Sequence, residues 1–208
     1  MDENTKAAQN KKVRHFIKML ILILLFLCFI FPFILVVINV FKVKADITSN
    51  PLALFGAHGF TLKNFPEAMK KMNFWRAFGN SAVITVTSTV LTILFASMTA
   101  YVIVRNRWKA TGALFGMMIA SMVIPFQVLM IPLVSLYGGV FGLLNPRATL
   151  IFMHVGFSLS MATFMFHGAI HTNVPLSLEE AAIIDGCTRW QTYWKIVFPL
   201  LKPTIATV

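Results

Sequence analysis

The sequence predicts an all-α fold: a polytopic transmembrane helical bundle with a helix–Gly–helix loop on its cytoplasmic face. Three observations predict it. Apolar residues make up 58% of the 208-residue chain and charged residues only 12%. The charges are clumped, which leaves uncharged, mostly apolar stretches from Met19 to Phe41, Ala77 to Val104, Ala110 to Pro146 and Ala148 to Leu178. Beyond the last stretch, the segment from Asn173 to Pro203 differs in character, with acids, a glycine and two helix-start signatures. A span needs ~20 apolar residues at 1.5 Å rise to cross ~30 Å of hydrocarbon, and each stretch is long enough. A surface helix of a soluble protein would show a charged face along its length, and these stretches do not.

Taken in order, residues 1–18 read as a polar, mobile, cytoplasmic tail. The first span covers about 19–41. Its basic lead (Lys11, Lys12, Arg14, Lys18) resembles a secretory signal, but its 23-residue apolar core exceeds the roughly 7–15 of a signal peptide, so it reads as a retained anchor. Pro32 predicts a kink that neighbouring helices satisfy. Residues 42–76 form an outer segment with turn signals at Asn50-Pro51, Gly56 and Gly59. Its end, Phe65-Pro66-Glu67 through Phe74-Trp75, suits the membrane interface, where aromatic rings are favoured.

The second span, about 77–104, carries Ser81, Thr85, Ser88 and Thr92 on one helical face. Such a stripe lines a polar path or lets helices pack closely in lipid, and packing is the commoner use. The third span, about 110–137, is interrupted by Pro125 and Pro132 and ended by Gly138-Gly139, with an outer turn through Asn145-Pro146. Interrupted helices line transport sites or are passively kinked, and both readings stand. Gly112 and Gly116 form a GxxxG that signals helix contact. The fourth span covers about 148–171, and a fifth begins at 203–208.

The net charge of +11 reports orientation here and not nucleic-acid binding, because Lys and Arg accumulate on the cytoplasmic side of spans. The tail and the connection holding Arg105, Arg107 and Lys109 are therefore placed inside. Cys28 sits in the middle of a span and Cys187 in the cytoplasmic loop, so they imply no disulfide. His154, His167 and His171 give an incomplete ligand set, so no metal is expected. No nucleophile–base pair or phosphate loop suggests an enzyme.

The loop at 173–202 carries the function. Ser177 with Glu180 three residues later reads as a capping box, and Glu179 and Glu180 both suit the first turn of a helix. Ala181 and Ala182 continue that helix, and Gly186 is placed to stop it in a left-handed conformation. Thr188 with Gln191 is a second capping box. Trp190, Tyr193, Trp194 and Val197 then form a stripe that suits a helix lying on the membrane surface. The result is a hairpin with small side chains and two acids at its tip, a docking surface for a basic partner.

Glu180-Ala181-Ala182, Asp185-Gly186, Ile196 and Phe198-Pro199 resemble the EAA loop of ABC importer permeases, with Phe198 replacing the family's leucine. Asn80-Ser81, Ala100-Tyr101, Arg105, Ile124-Pro125, Ile131-Pro132-Leu133 and Gly142-Leu143-Leu144-Asn145 extend the resemblance toward the carbohydrate branch. The resemblance implies an ABC-importer transmembrane domain over 19–208. It implies a permease subunit that forms part of a sugar or oligosaccharide pathway by alternating access, with another solute class as the alternative. It implies a coupling loop in which Glu179, Glu180, Ala181, Ala182, Asp185, Gly186, Ile196 and Pro199 meet the ATPase.

The implied partners are a cytoplasmic ABC ATPase dimer, a second permease subunit, an extracytoplasmic solute-binding protein and membrane lipid, with no nucleic acid. ATP and Mg belong to the ATPase, and this chain binds no cofactor. The implied location is the bacterial cytoplasmic membrane with the N-terminus inside. Permeases of this branch have six spans, with the loop before the fifth. Pro203 to Val208 supplies about 9 Å of helix, so a truncated, inactive subunit is a further expectation.

Overall fold

The computed structural model describes residues 3–106 and 108–208, with side chains from residue 11 onward. Arg107, one of the basic residues used to orient the chain, lies outside the described residues. Among these, every regular element is helical, apart from an isolated antiparallel bridge between Lys42 and Phe60. The chain divides into two compact units, 1–77 and 78–208.

In the first unit, α1 runs from Glu3 to Val40. The tail expected at 1–18 is thus continuous with the first span, because nothing between Glu3 and Lys18 breaks a helix. Its stretch Lys11–Val40 is long and apolar enough to cross a membrane. A short helix, α2 (Lys44–Ser49), and a third, α3 (Asn64–Lys71), follow. Between them the chain is a stapled loop that the turn signals indicated only in part. The Asn39 amide donates to the Pro51 carbonyl at 2.9 Å. The Lys42 ammonium, 2% exposed, donates to Asn39 Oδ1 (3.0 Å) and the Asn50 carbonyl (3.3 Å). Asn64 closes the other side, donating to the carbonyls of Val40 (2.7 Å) and Lys42 (2.8 Å). Lys42, a basic residue of the outer segment, is thus committed to the fold.

In the second unit, α4 (Phe74–Arg105, all but its first turn here) and α7 (Arg147–Asn173) are long and apolar enough to span. Between them lie α5 (Lys109–Met122) and α6 (Phe126–Val134), the latter extended by a π-helical turn over Ser135–Val140. The expected kinked span at 110–137 is in fact two helices meeting at 91°. The break falls where Pro125, extended at ψ 135°, cannot donate to a preceding carbonyl and forces Ile124 out of the helix. Gly112 and Gly116 have no neighbour within 4 Å of where a Cβ would sit, so the GxxxG makes no helix contact here.

The core of this unit joins α4, α7 and the segment after α7. Ala96 and Ala100 of α4, with Ala162, Phe166, Ala169 and Ile170 of α7, pack with Val174, Tyr193, Val197 and Leu201. Four of these residues are alanines, whose small side chains are buried in the cluster. Ser88 and Thr92 of the hydroxyl stripe are buried at 6% and 4% exposure, whereas Ser81 and Thr85 are exposed.

Candidate functional site

After α7 the chain forms α8 (Leu176–Ile184), a turn at 185–188, and α9 (Arg189–Thr192), which continues through a π-helical turn (Tyr193–Val197) into α10 (Phe198–Leu200). A last turn, α11, covers Lys202–Ile205. The helix–Gly–helix hairpin is therefore present. Its closure is a full Schellman motif: Cys187 N–H donates to the Ala182 carbonyl at 2.9 Å and Gly186 N–H to the Ile183 carbonyl at 3.0 Å. Gly186 sits at φ +85°, where a Cβ is strained. The second capping box also forms, with Gln191 N–H donating to Thr188 Oγ1 (3.3 Å) and Thr188 N–H to Gln191 Oε1 (2.9 Å). The widened turn just before Pro199 follows from that residue's missing N–H, which cannot bond the Lys195 carbonyl.

Two expectations for the hairpin are corrected. The first capping box does not form: Pro175 is the N-cap, so Ser177 and Glu180 both lie inside α8. Proline wins because its extended backbone and fixed φ place its own carbonyl to accept from Leu178 N–H at 3.2 Å. The aromatic stripe is not a membrane-surface face: Tyr193 (2% exposed) and Val197 (0%) are core, and only Trp190 (59%) stands out. The Tyr193 ring packs on Tyr101 at 5.3 Å, and its hydroxyl bonds Ser97 Oγ at 2.7 Å. Burial holds the Tyr193 phenol above its ordinary pKa, so it stays protonated.

What fixes the hairpin to the spans is an ion pair that the spacing along the chain does not show. Glu179, 4% exposed, faces α4. Its Oε1 accepts from Arg105 Nε at 2.8 Å and Nη2 at 2.6 Å, and its Oε2 accepts from the Tyr101 hydroxyl at 3.0 Å. Arg105 Nη2 also donates to the Val174 carbonyl at 2.8 Å. One guanidinium thus joins the C-terminal turn of α4, the residue that ends α7 and the first turn of α8. Each charge also suits its own helix, the cation at a C-terminal end and the anion at an N-terminal one. Tyr101 and Arg105 are four residues apart on one face of α4, a signal available in the sequence but meaningless without its partner.

Glu180, next in sequence, is exposed. With it Ala181, Asp185 and Gly186 are exposed, beside Ile183 (52%) and Ile184 (85%). Of the other residues expected to meet an ATPase, Ala182 is buried (5%), Ile196 is half-buried and Pro199 is exposed. A cleft of about 370 Å³ between α4 and the hairpin is lined by Tyr101, Arg105, Glu179, Glu180, Arg189 and Trp190. A second cavity, about 550 Å³, lies along the hydroxyl stripe between α4 and α7 and is lined by Thr85, Ser88, Thr92, His154 and Ser158. His154 Nδ1 is within 2.7 Å of the Leu150 carbonyl, and His167 stacks on Phe115 at 4.2 Å. Among the described residues no three His, Cys, Asp or Glu are grouped to hold a metal.

The family described as "binding-protein-dependent transport system inner membrane component" matches residues 92–208, more than half of the chain. That range contains the Arg105–Glu179 pair, the hairpin and the core that seats it. The probable starch degradation products transport system permease protein AmyC of Thermoanaerobacterium thermosulfurigenes is 40% identical over 89% of this chain and 66% of its own length. The melibiose/raffinose/stachyose import permease protein MelC of Bacillus subtilis is 34% identical over 98% of this chain and 71% of its own. The multiple sugar-binding transport system permease protein MsmG of Streptococcus mutans is 34% identical over 96% and 71%. The chain thus spans about two thirds of the length of the curated relatives it matches. On this evidence the chain belongs to the inner-membrane permeases of binding-protein-dependent transport systems, and it is a multi-pass membrane protein.

Proposed function

We propose that this chain forms part of the membrane pathway of an importer for a sugar or oligosaccharide, and that the hairpin couples that pathway to a cytoplasmic ATPase. The observation that carries the coupling role is the different burial of two adjacent acids. Glu179 is bonded to the spans through Arg105, while Glu180 stands at an open tip with Ile183 and Ile184. A lever needs both properties, one end fixed to what moves and the other free to be gripped. The exposed apolar pair supplies contact area, and the carboxylate offers a partner for an arginine. Sugar as the solute class is supported by the names of the relatives, which specify starch degradation products, melibiose, raffinose, stachyose and multiple sugars.

In this reading a second permease subunit completes the pathway, and an extracytoplasmic solute-binding protein delivers the sugar. The partner ATPase dimer carries ATP and Mg, and the N-terminus and hairpin are cytoplasmic. Closure of the ATPase pulls the tip, and the Arg105–Glu179 pair passes the pull to α4 and the end of α7. Glu180→Ala separates this role from a structural one, because the Glu180 side chain makes no hydrogen bond that holds α8. The variant is expected to reach the membrane at the normal level, lose co-purification with the ATPase and lose uptake across a panel of labelled oligosaccharides. Unchanged uptake would reject the coupling role, and uptake of amino acids or peptides instead would reject the sugar.

A further inference from the structure

We propose that the loop at 51–60, stapled to the end of α1, is a second membrane-interface anchor whose occupant is the lipid bilayer itself. The loop is held from both sides by residues at the end of the first span. Asn39 and Lys42 hold its start through the Asn50 and Pro51 carbonyls. Its end is held by Thr61 N–H donating to the Phe41 carbonyl at 2.9 Å, with the Phe60 ring stacked on Phe41 at 5.0 Å. Across the middle, the Asp46 carboxylate accepts from His58 N–H (3.0 Å) and meets His58 Nδ1 at 2.7 Å. Gly56 lies so close to that carboxylate that any Cβ there would collide with it.

This much polar fastening does not bury the loop's apolar side chains. Leu52 is 63% exposed, Leu54 72% and Phe55 88%. A rigid loop that turns its largest apolar residues outward is built to meet an apolar partner. Two features identify that partner as lipid. The bonds from Asn39 and Lys42 set the loop level with the end of an apolar helix whose Val36 and Val37 are themselves 68% and 61% exposed, so the surface is continuous with a span. And no Lys, Arg, Asp or Glu occurs from Ile47 to Leu62, whereas Lys44 and Lys63 flank the loop and are exposed. An apolar tip rimmed by cations suits the acyl–headgroup boundary, with the lysines reaching lipid phosphates.

The test uses the full chain in nanodiscs of phosphatidylethanolamine and phosphatidylglycerol. In a Cys28→Ser, Cys187→Ser background, Phe55→Cys and, on the exposed face of α2, Ala45→Cys are labelled with an environment-sensitive fluorophore. The label at 55 is expected to be blue-shifted and to lose most of its emission to nitroxide-bearing acyl chains, with the label at 45 little affected. The unmodified chain, irradiated with a photoreactive lipid, is expected to give adducts within 52–55. Equal quenching at 45 and 55 together with no lipid adduct would overturn the proposal. So would protection of position 55 only on addition of the extracytoplasmic binding protein, which would make the loop a protein-docking site.

Discussion

Asp46 and Glu179 are buried to almost the same degree, at 5% and 4% exposure, and each accepts hydrogen bonds from a basic residue. Their partners differ. Glu179 meets Arg105, 74 residues away, whose side chain is 19% exposed. Asp46 meets His58, only 12 residues away, whose side chain is 67% exposed. The first pair joins separate helices and fixes where the hairpin sits. The second shapes a loop against its own flank. A buried carboxylate therefore marks a fastening in both regions, but only one fastening can carry force between elements distant in the chain.

That contrast is tested most severely by Arg105→Ala. It leaves Glu179 buried without its cation, and breaking a buried pair in this way costs about 3–5 kcal/mol. The expected result is protease cleavage within 174–188 and a lowered midpoint of thermal unfolding. Tyr101→Phe, which removes only one bond to the same carboxylate, should cost about 1.5–3 kcal/mol and leave the hairpin seated. If both variants behave alike, the guanidinium is not the main fastening.

Gly186→Val comes next. At φ +85° a side chain costs roughly 1–2 kcal/mol, more for a branched one, and the effect should be confined to the turn between α8 and α9. Amide exchange at Cys187 and Gly186, the two donors of the turn, would report it directly.

The smallest effect is expected in the first unit, on acidification. The side-chain hydrogen bond from His58, with its backbone N–H, holds the Asp46 pKa below its ordinary value. A depressed carboxylate pKa stabilises the fold above the ordinary value and loses that contribution as pH falls through the lowered one. The 51–60 loop should therefore open at acid pH below the usual carboxylate range. His58→Ala should raise that threshold toward the ordinary range, read as loss of protection of the residue 58 amide.

The sequence carried the apolar helices Lys11–Val40, Phe74–Arg105 and Arg147–Asn173, because apolar runs need no partner to be recognised. It also carried the Gly186 turn and the Thr188 cap, since both depend on residues within five positions of each other. It failed where the deciding partner was local but stronger, as with Pro175 displacing Ser177 from the cap. It failed again where the partner was remote. Nothing in the spacing of Glu179 and Glu180 says that one is bonded to Arg105 and the other is left exposed, and nothing in a tryptophan–tyrosine stripe says that Tyr193 reaches Ser97. Pro125 was legible as an interruption, but the 91° turn it permits depends on packing that a one-dimensional pattern does not contain.

The account depends on the α8 tip being a cytoplasmic contact for an ATPase, and cross-linking at that tip tests it most directly. In a Cys28→Ser, Cys187→Ser background, Ile184→Cys would carry a short photo-activated cross-linker in native membranes. The account predicts an adduct with an ATP-hydrolysing protein, lost in Glu180→Ala and formed only from the cytoplasmic side. Labelling of position 184 by an impermeant reagent from the periplasmic side, with no such adduct, would contradict it.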